Sequence, residues 1–347
     1  MRFLVVGAGA IGTYVGGSLA LAGQPVTFLV REASAASLAS GGLHLQIGEK
    51  SAEVPHPALA TDLAGALEGN PFDAVILAVK SFDTPRILEA MRPVCERMPA
   101  VLCLQNGVEN EAALAAVLGE ERVLPGTVTS SVARLGPGSI RLERLRGVGI
   151  AGEGRLAREL AGAFDAAGLR ARLYPDGRSM KWSKMLTNLV ANASSAILDL
   201  SPAEILAVPG LFRLEIDQLR EALDVMRRLG IPVVDLPGTP VRLLAAAARY
   251  LPYPASQPLL RRALAGGRGG KMPSFHIDLR SGRGQTEVDA LNGAVVRFAR
   301  EAGAPAPLNR LLNETLGAMA RGEMASDRFA RRPAEWIAFV GESLKRA

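Results

Sequence analysis

Cysteines, aromatic residues and histidines are all scarce in this chain of 347 residues. Its two cysteines, Cys95 and Cys103, cannot build a disulfide framework, so we expect reduced thiols in a cytoplasmic protein. With 5% aromatic residues the chain offers few surfaces on which nucleic-acid bases could stack, and its net charge of +6 suits a small anionic ligand. The three histidines, His44, His56 and His276, lack the spacing of a metal site. These shortages predict a globular protein that binds neither nucleic acid nor metal.

Charged residues are absent from the 28 positions between Arg2 and Arg31. An uncharged stretch of that length could form a signal peptide or a membrane span. Six glycines and Pro25 interrupt it, however, and divide it into pieces of the length of strands and helices. We therefore expect no membrane or export segment, and the exclusion of charge needs another cause.

The uncharged stretch contains the pattern of a dinucleotide-binding turn. A valine-rich run from Met1 to Val6, suited to a strand buried on both faces, leads into Gly7-Ala8-Gly9-Ala10-Ile11-Gly12. The first glycine allows a tight turn, the second lets the backbone approach a pyrophosphate, and the third lets the next helix pack on the strand. The N–H groups of that helix then face the phosphates. A flexible glycine-rich loop is the alternative, but a helix to Ala22 and a strand from Pro25 to Val30 follow, as in a Rossmann-like unit.

Arg31 follows that second strand, at the position where such a site selects its cofactor. An acidic residue there binds the ribose 2′-hydroxyl of NAD, whereas an arginine accommodates the 2′-phosphate of NADP. Arg31 therefore predicts NADP. Glu32 comes next, so a shift of one residue would reverse the prediction, and an Arg31–Glu32 pair on a solvated loop is a further alternative.

The rest of the first half alternates strands with helices, as a doubly wound parallel sheet requires. The predicted elements are Gly42–Ile47, Phe72–Val79, Thr84–Met91, Ala100–Leu104 and Glu109–Leu118, then short β segments from Arg122 to Ile150 at the edge of the sheet. After Pro175 we expect helices, with loops around short helices from Leu236 to Pro273. The predicted fold class is α/β, with a Rossmann-like NADP-binding domain over 1–175 and an all-helical substrate domain over 176–347.

Polar residues follow two of the predicted strands. Lys80 comes after Val79, and Asn106 comes after Gln105. Ligands of doubly wound sheets bind at the carboxyl ends of the strands, so we expect both residues in one pocket with the glycine turn. The alternatives are a solvated strand end for Lys80 and an ordinary turn at Asn106-Gly107.

A helix predicted from Met180 to Leu198 has an unusual polar face. That face consists of Lys181, Lys184, Asn188, Asn192, Ser195 and Asp199. No charge occurs from Met185 to Leu198, although a solvated face normally contains glutamate, lysine and arginine, which form helices better than asparagine. An ordinary amphipathic helix is the alternative. We instead expect the two asparagines to be directed at a ligand, with a partly desolvated Lys184 able to transfer a proton.

Glu287 is a second candidate for a role in chemistry. Thr286 and Asp289 fit a capping box, which would place Glu287 in the first turn of a helix. Acidic residues are common in that turn because they interact favourably with the helix dipole, so a structural role is the alternative.

Together these residues resemble the ketopantoate reductase (2-dehydropantoate 2-reductase) family over nearly the whole chain. The matching segments are Gly7–Gly12, Val79-Lys80, Gln105–Gly107, Lys184–Asn192, Ser274 and Thr286–Gly293. Many dehydrogenases share the glycine motif, whereas the lysine and two asparagines spaced by four and the Thr286–Gly293 segment are specific. The resemblance implies reduction of 2-dehydropantoate to (R)-pantoate with NADPH, on the route to pantothenate and coenzyme A.

The resemblance also implies roles for the residues of the polar helix face. Lys184 would donate the proton, and Asn188, Asn192 and Ser274 would bind the substrate. The chemistry agrees with this assignment, because a ketone oxygen that gains negative charge during hydride transfer is stabilised by a nearby ammonium group that can supply the proton.

For the cofactor end, the resemblance implies that Lys80 and Asn106 contact the nicotinamide and the reacting groups. Glu287 would lie at the nicotinamide ribose or the substrate hydroxyl. Two segments, Ala193–Ala196 and Leu200–Pro202, depart from the family pattern, which tends to place a further substrate asparagine after the helix. The identity of the 2-keto acid therefore stays open.

Two other functions are compatible with these features. One is a related NAD(P)-dependent hydroxy-acid or opine-type dehydrogenase with another small substrate. The other is a sensor that binds NADP(H) and performs no chemistry, although a sensor would not need the Lys184 face together with Glu287. The sequence leaves the oligomeric state open, with a homodimer as one option.

Overall fold

The computed structural model describes residues 1–69, 71–258, 260 and 272–346. The chain divides into two compact units. The first comprises Met1–Lys181 with the short segment Leu236–Thr239, and the second comprises Trp182–Asp235 with Pro240–Ala347. The predicted fold class is confirmed, since the first unit contains a mostly parallel sheet and the second is helical. The domain boundary at residue 176 stays a prediction.

The strands found in the described residues belong to the first unit. They are β1 (Phe3–Val6), β2 (Val26–Leu29), β3 (Leu43–Ile47), β4 (Lys50–Val54), β5 (Ala58–Ala60), β6 (Ala74–Leu77), β7 (Val101–Cys103), β8 (Val123–Val128), β9 (Ser131–Gly136), β10 (Ser139–Arg144), β11 (Val148–Ala151) and β12 (Ala171–Tyr174). Its helices are α1 (Ala10–Leu21), α2 (Glu32–Gly41), α3 (Leu63–Leu67), α4 (Thr84–Met91), α5 (Asn110–Leu118) and α6 (Arg155–Ala166). Among the described residues, strand structure after Tyr174 is limited to one bridge between Leu236 and Thr239.

The main sheet has eight strands in the order β12-β11-β8-β7-β6-β1-β2-β5. Its neighbouring strands are parallel except for β8 and β11. From β1 the chain proceeds to β2 on one side, and from β6 it proceeds to β7 on the other, so the strand order reverses between β1 and β6. In such sheets a ligand binds at the carboxyl ends of the strands next to this reversal.

A second sheet of four strands has the order β4-β3-β10-β9. The prediction that the β segments from Arg122 to Ile150 lie at the edge of the main sheet is therefore wrong for β9 and β10, although β8 and β11 do join that sheet. The physical reason is that β10 pairs in parallel with β3 and buries Ile140 and Leu142 in the core that also contains residues of α1.

Strand β1 is buried on both faces. Phe3 and Val5 belong to one hydrophobic core, and Leu4 and Val6 belong to another. Alternate side chains of a strand point to opposite faces of the sheet, so each face of β1 must be apolar. This burial explains why the first part of the uncharged stretch contains no charge.

Helix α1 packs too closely to carry large side chains on its buried face. A Cβ on Gly16 would lie 2.6 Å from the ring of Phe28 in β2, and one on Gly17 would lie 2.8 Å from Leu45 in β3. The helix therefore contacts strands of both sheets through bare backbone. Of the helices in the described residues, none is long and apolar enough to cross a membrane.

The second unit is built from helices. They are the end of α7 (Gly177–Leu189), then α8 (Asn192–Leu198), α9 (Pro202–Ala207), α10 (Pro209–Arg228), α11 (Val241–Tyr250), α12 (Ser274–Arg280), α13 (Ala294–Glu301), α14 (Pro307–Ala320) and α15 (Pro333–Arg346). Residues 253–258 are also helical. The described part of the Leu236–Pro273 segment thus contains the expected short helices, while residues 259 and 261–271 lie outside the described residues.

The single helix predicted from Met180 to Leu198 is wrong, because the chain forms α7 and α8 with a break between them. Ala191 has a φ of 53°, in the left-handed region. Its amide donates a hydrogen bond to Glu215 of α10, with a distance of 2.6 Å between nitrogen and oxygen. A tertiary contact therefore replaces the bond that a continuous helix would have made.

Candidate active site

The glycine turn has the geometry that its sequence predicts. Gly7 follows β1 with a φ of 98°, a conformation that favours glycine, and its amide donates to the Leu29 carbonyl at 2.9 Å. A Cβ on Gly12 would lie 1.8 Å from the Gly7 carbonyl oxygen. Only glycine therefore allows α1 to begin this close to β1.

The start of α1 fits an anionic phosphate. Gly9 is the N-cap residue in extended conformation, and no side chain caps the helix. Among the described residues, apart from Gly9 and its two chain neighbours, no atom lies within 4 Å of where a Cβ on Gly9 would stand. The N–H groups of a first helical turn need partners outside the helix, and phosphate oxygens are suitable partners. Ala8 and Ile11 pack against the core below the turn, and Ala10 is the first helical residue.

Arg31 lies close to this turn in the topology, because β2 is the neighbour of β1 in the sheet. It is the exposed N-cap residue of α2, and its carbonyl accepts from the Ser34 amide at 2.8 Å. Glu32 is the first residue of α2 and is also exposed. Arg31 thus lies two residues beyond the end of β2, in the part of a dinucleotide site that faces the adenosine ribose.

The segments that contain Lys80 and Asn106 are joined by hydrogen bonds at the carboxyl ends of β6 and β7. The Gln105 side chain donates to the Lys80 carbonyl at 3.2 Å and to the Thr84 hydroxyl at 2.8 Å. The Ser81 hydroxyl donates to the Asn106 carbonyl at 2.7 Å. The structure therefore brings Lys80 and Asn106, both half-buried, to the same edge of the sheet, just after β6 and β7.

A buried ion pair lies next to this edge of the sheet. Lys181 Nζ lies 2.7 Å from Glu111 Oε1, and the two side chains are 4% and 15% exposed. Lys181 also donates to the carbonyls of Gln105 and Gly126. Burial, together with the Glu111 charge, raises the pKa of the neighbouring Cys103 thiol. The sequence analysis did not predict this pair. The one signal for it was Lys181, a second lysine beside Lys184 on the polar face of the predicted helix.

Lys184 and Asn188 are half-buried residues of α7, one helical turn apart on the same face. The Thr187 hydroxyl donates to the Lys184 carbonyl at 2.7 Å. Since α7 ends at Leu189, Asn192 does not continue this face as the periodicity predicts, and it begins α8 instead.

Asn192 and Ser274, which are 82 positions apart, meet in the folded second unit. Asn192 Nδ2 donates to Ser274 Oγ at 3.4 Å, and Asn192 Oδ1 accepts from the Phe275 amide at 3.1 Å. Asn192 is buried and Ser274 is half-buried. The sequence placed these residues together only through the family resemblance.

Glu287 is 2% exposed, unlike most acidic residues at helix N-termini. The predicted capping box is wrong, because the Thr286 hydroxyl accepts from the Val288 amide at 3.3 Å and Asp289 instead pairs with Arg297 at 3.0 Å. Glu287 lies in a turn and is separated from the π-helical residues Asp289–Gly293 by Val288. The role of Glu287 in the chemistry stays a prediction.

No group of three or more potential metal ligands occurs within the described part of the chain. Two of the histidines pair with carboxylates, His44 with Glu53 at 3.1 Å and His276 with Asp199 at 2.7 Å.

Family models and known proteins match this chain over most of its length. The family model described as "Ketopantoate reductase PanE/ApbA" matches residues 3–153, and the model of its C-terminal domain matches residues 176–320. The 2-dehydropantoate 2-reductase of Halobacterium salinarum is 30% identical, over 90% of this chain and 96% of that protein.

Solved structures show the same fold. The PanE/ApbA family ketopantoate reductase of Ralstonia eutropha superposes with a TM-score of 0.78 at 28% identity, covering 93% of this chain and 99% of that one. A D-mandelate dehydrogenase solved with NADH and anilino(oxo)acetate gives a TM-score of 0.75 at 22% identity, covering 93% and 99%. This second likeness concerns the fold alone.

Proposed function

The chain belongs to the ketopantoate reductase PanE/ApbA family of oxidoreductases, and from this premise we propose that it reduces 2-dehydropantoate to (R)-pantoate with NADPH. The observation that carries the proposal is the contact between Asn192 and Ser274. These residues come from two of the segments on which the resemblance rests, and they lie on the unit that also contains Lys184 and Asn188.

The proposed cofactor site is the turn Gly7–Gly12 with the residues at the neighbouring strand ends. The pyrophosphate would accept hydrogen bonds from the first turn of α1, and Arg31 would bind the 2′-phosphate, which favours NADPH over NADH. Lys80 and Asn106 would contact the nicotinamide end, with Glu287 at the nicotinamide ribose or the substrate hydroxyl. When bound, the cofactor supplies a hydride to the ketone carbon.

The remaining chemistry is assigned to residues of the second unit. The Lys184 ammonium stabilises the negative charge that develops on the ketone oxygen and donates a proton to it, so that the ketone becomes an alcohol. Asn188, Asn192 and Ser274 bind the carboxylate and hydroxyl groups of the substrate. Amides and hydroxyls suit this task because they form directional hydrogen bonds that fix the orientation of the ketone.

The test is an assay of the purified protein with 2-dehydropantoate and other small 2-keto acids, each with NADPH and with NADH. We expect NADPH consumption with 2-dehydropantoate. The Lys184→Ala variant should lower kcat by about 100- to 10,000-fold, the usual contribution of a general acid, while NADPH binding measured by fluorescence is unchanged. Lys345→Ala, which removes an exposed lysine of the same unit, is the matched control and should retain full activity.

Three results would contradict parts of this proposal. Undiminished turnover by Lys184→Ala would remove the proton-donor assignment. Turnover of a different 2-keto acid in place of 2-dehydropantoate would correct the substrate but keep the reaction class. Binding of NADPH without turnover of any 2-keto acid would favour a sensor.

A further inference from the structure

A buried carboxylate holds the helix break that precedes Asn192. Glu215 of α10 is 1% exposed. It accepts hydrogen bonds from the Ala191 amide at 2.6 Å, from the Ser194 hydroxyl and from the Gln218 side chain. A carboxylate is costly to bury unless such bonds satisfy it, so its presence at this position requires a specific reason.

The reason lies in the local geometry of α8. Because α7 and α8 are separate, the first N–H groups of α8 have no acceptors within their own helix. Glu215 acts as their cap from another helix, and a negative charge is favourable at a helix N-terminus. It also stabilises Ala191 in a left-handed conformation that residues other than glycine seldom adopt.

Asn192 directly follows Ala191. The conformation that Glu215 stabilises at Ala191 therefore also sets the direction of the Asn192 side-chain amide. With Oδ1 bonded to the Phe275 amide, Nδ2 is directed at Ser274 Oγ. The Ser274 hydroxyl accepts from Asn192 and can therefore donate its own hydrogen to a carboxylate. Displacement of Asn192 would change the direction of that hydroxyl.

The C-terminal end of α8 contacts α12, the helix that begins at Ser274. Asp199 follows α8 with a φ of 50° and lies 2.7 Å from His276 Nε2 and 3.6 Å from an Arg280 nitrogen. His276 and Arg280 belong to α12. Because Asp199 fixes His276 and Arg280, the position of Ser274 at the start of α12 depends on its contact with Asn192.

We propose that Glu215 is a positioning residue for the substrate, acting through Ala191 and Asn192 on the orientation of the Ser274 hydroxyl. This inference rests on the proposed function, because it assigns the recognition of the 2-keto acid carboxylate to Asn192 and Ser274. It concerns a residue that touches neither the substrate nor the cofactor, so its removal should affect substrate binding much more than cofactor binding.

The test compares Glu215→Ala with Glu221→Ala. Glu221 is a matched control on the same helix, because it accepts from the amides of Leu308 and Asn309 at 2.9 Å and caps α14 in the same manner. We expect both variants to lower the Tm. Glu215→Ala should raise the KM for 2-dehydropantoate about 10-fold or more, as expected for loss of a hydrogen bond to a charged group, with the KM for NADPH nearly unchanged. Glu221→Ala should leave both KM values nearly unchanged.

A conservative variant separates positioning from general stability. In Glu215→Gln the side-chain oxygen can still accept from the Ala191 amide, and the new NH₂ group can donate to the Ser194 hydroxyl. We therefore expect Glu215→Gln to restore most of the substrate affinity. If Glu215→Ala does not fold, Ser194→Ala removes one of the three bonds and should raise the same KM by a smaller factor.

Hydrogen exchange provides a readout that does not depend on activity. Glu215→Ala should speed exchange in residues 191–198 and 274–280, whereas Glu221→Ala should speed exchange in 307–320. Equal KM changes in the two alanine variants, or unchanged exchange in 274–280 with Glu215→Ala, would overturn the inference. A wild-type protein that exchanges as expected but does not reduce 2-dehydropantoate would instead refute the proposed function.

Discussion

Replacement of Gly9 by alanine should separate cofactor binding from folding. In the protein alone the change is mild, because Gly9 has a φ of −78° and a ψ of −169°, which alanine adopts readily. Within the described residues no atom lies near the added methyl group. We therefore expect the free energy of unfolding to change by no more than about 0.5 kcal/mol.

The effect on cofactor binding should be much larger. The methyl group would stand where the backbone must approach the pyrophosphate. Loss of one hydrogen bond to a charged group costs about 1.5–3 kcal/mol, and each 1.4 kcal/mol changes an affinity about tenfold. The Kd for NADPH should therefore rise by about 10- to 150-fold.

The measurement combines a fluorescence titration with NADPH and thermal melts of the free protein. Gly162→Ala in α6 is the matched control, since no described atom beyond its chain neighbours and the backbone of its own helix lies within 4 Å of its Cβ position. It should neither weaken NADPH binding nor lower the Tm. Gly12→Ala should instead destabilise the fold, because its Cβ would lie 1.8 Å from a backbone oxygen. A Kd for NADPH within twofold of wild type in Gly9→Ala would refute the placement of the pyrophosphate at this turn.

Three further predictions concern charged groups. Arg31→Ala should raise the Kd for NADPH about tenfold through loss of a charge-assisted contact, with little change for NADH, and equal losses for both cofactors would contradict the 2′-phosphate assignment. Lys181→Met should lower the free energy of unfolding in urea by about 3–5 kcal/mol, because Glu111 is left buried and unpaired, and combining it with Glu111→Leu should recover much of the loss. The His276 hydrogen bond holds the pKa of Asp199 below its ordinary value. The contribution of this bond to the stability of the fold is therefore fully present above the pKa of about 3.9 that Asp199 has in the unfolded chain, and it is lost as the pH falls through the lower pKa of the folded state. His276→Ala should therefore lower the Tm at pH 6 and approach the wild-type Tm in strong acid, and a difference that stays constant with pH would contradict this origin.

Local rules accounted for the features that depend on neighbours in sequence. The bounds of α4 agree with the predicted helix, and β1, β2, β6 and β7 end within two residues of the predicted strands. The edge strands β5 and β12 were not predicted. The glycine turn was also predictable, because Gly7 and Gly12 meet steric requirements of the adjoining strand, turn and helix. The absence of charge from Phe3 to Val30 follows from the same cause, namely a strand buried on both faces and a helix packed on bare backbone.

Contacts between distant residues decided the rest. The periodicity from Met180 to Leu198 predicts a continuous helix, and only the carboxylate of Glu215 shows why the chain turns at Ala191. Likewise, Lys181 has the sequence pattern of a residue on a polar face, but the sheet edge and Glu111 bury it. The sequence alone thus determined the α/β fold, the dinucleotide turn and the set of candidate site residues. The tertiary structure alone decided which of these residues meet, because a buried charge or a broken helix is stable only where a partner from elsewhere in the chain supplies the missing hydrogen bonds.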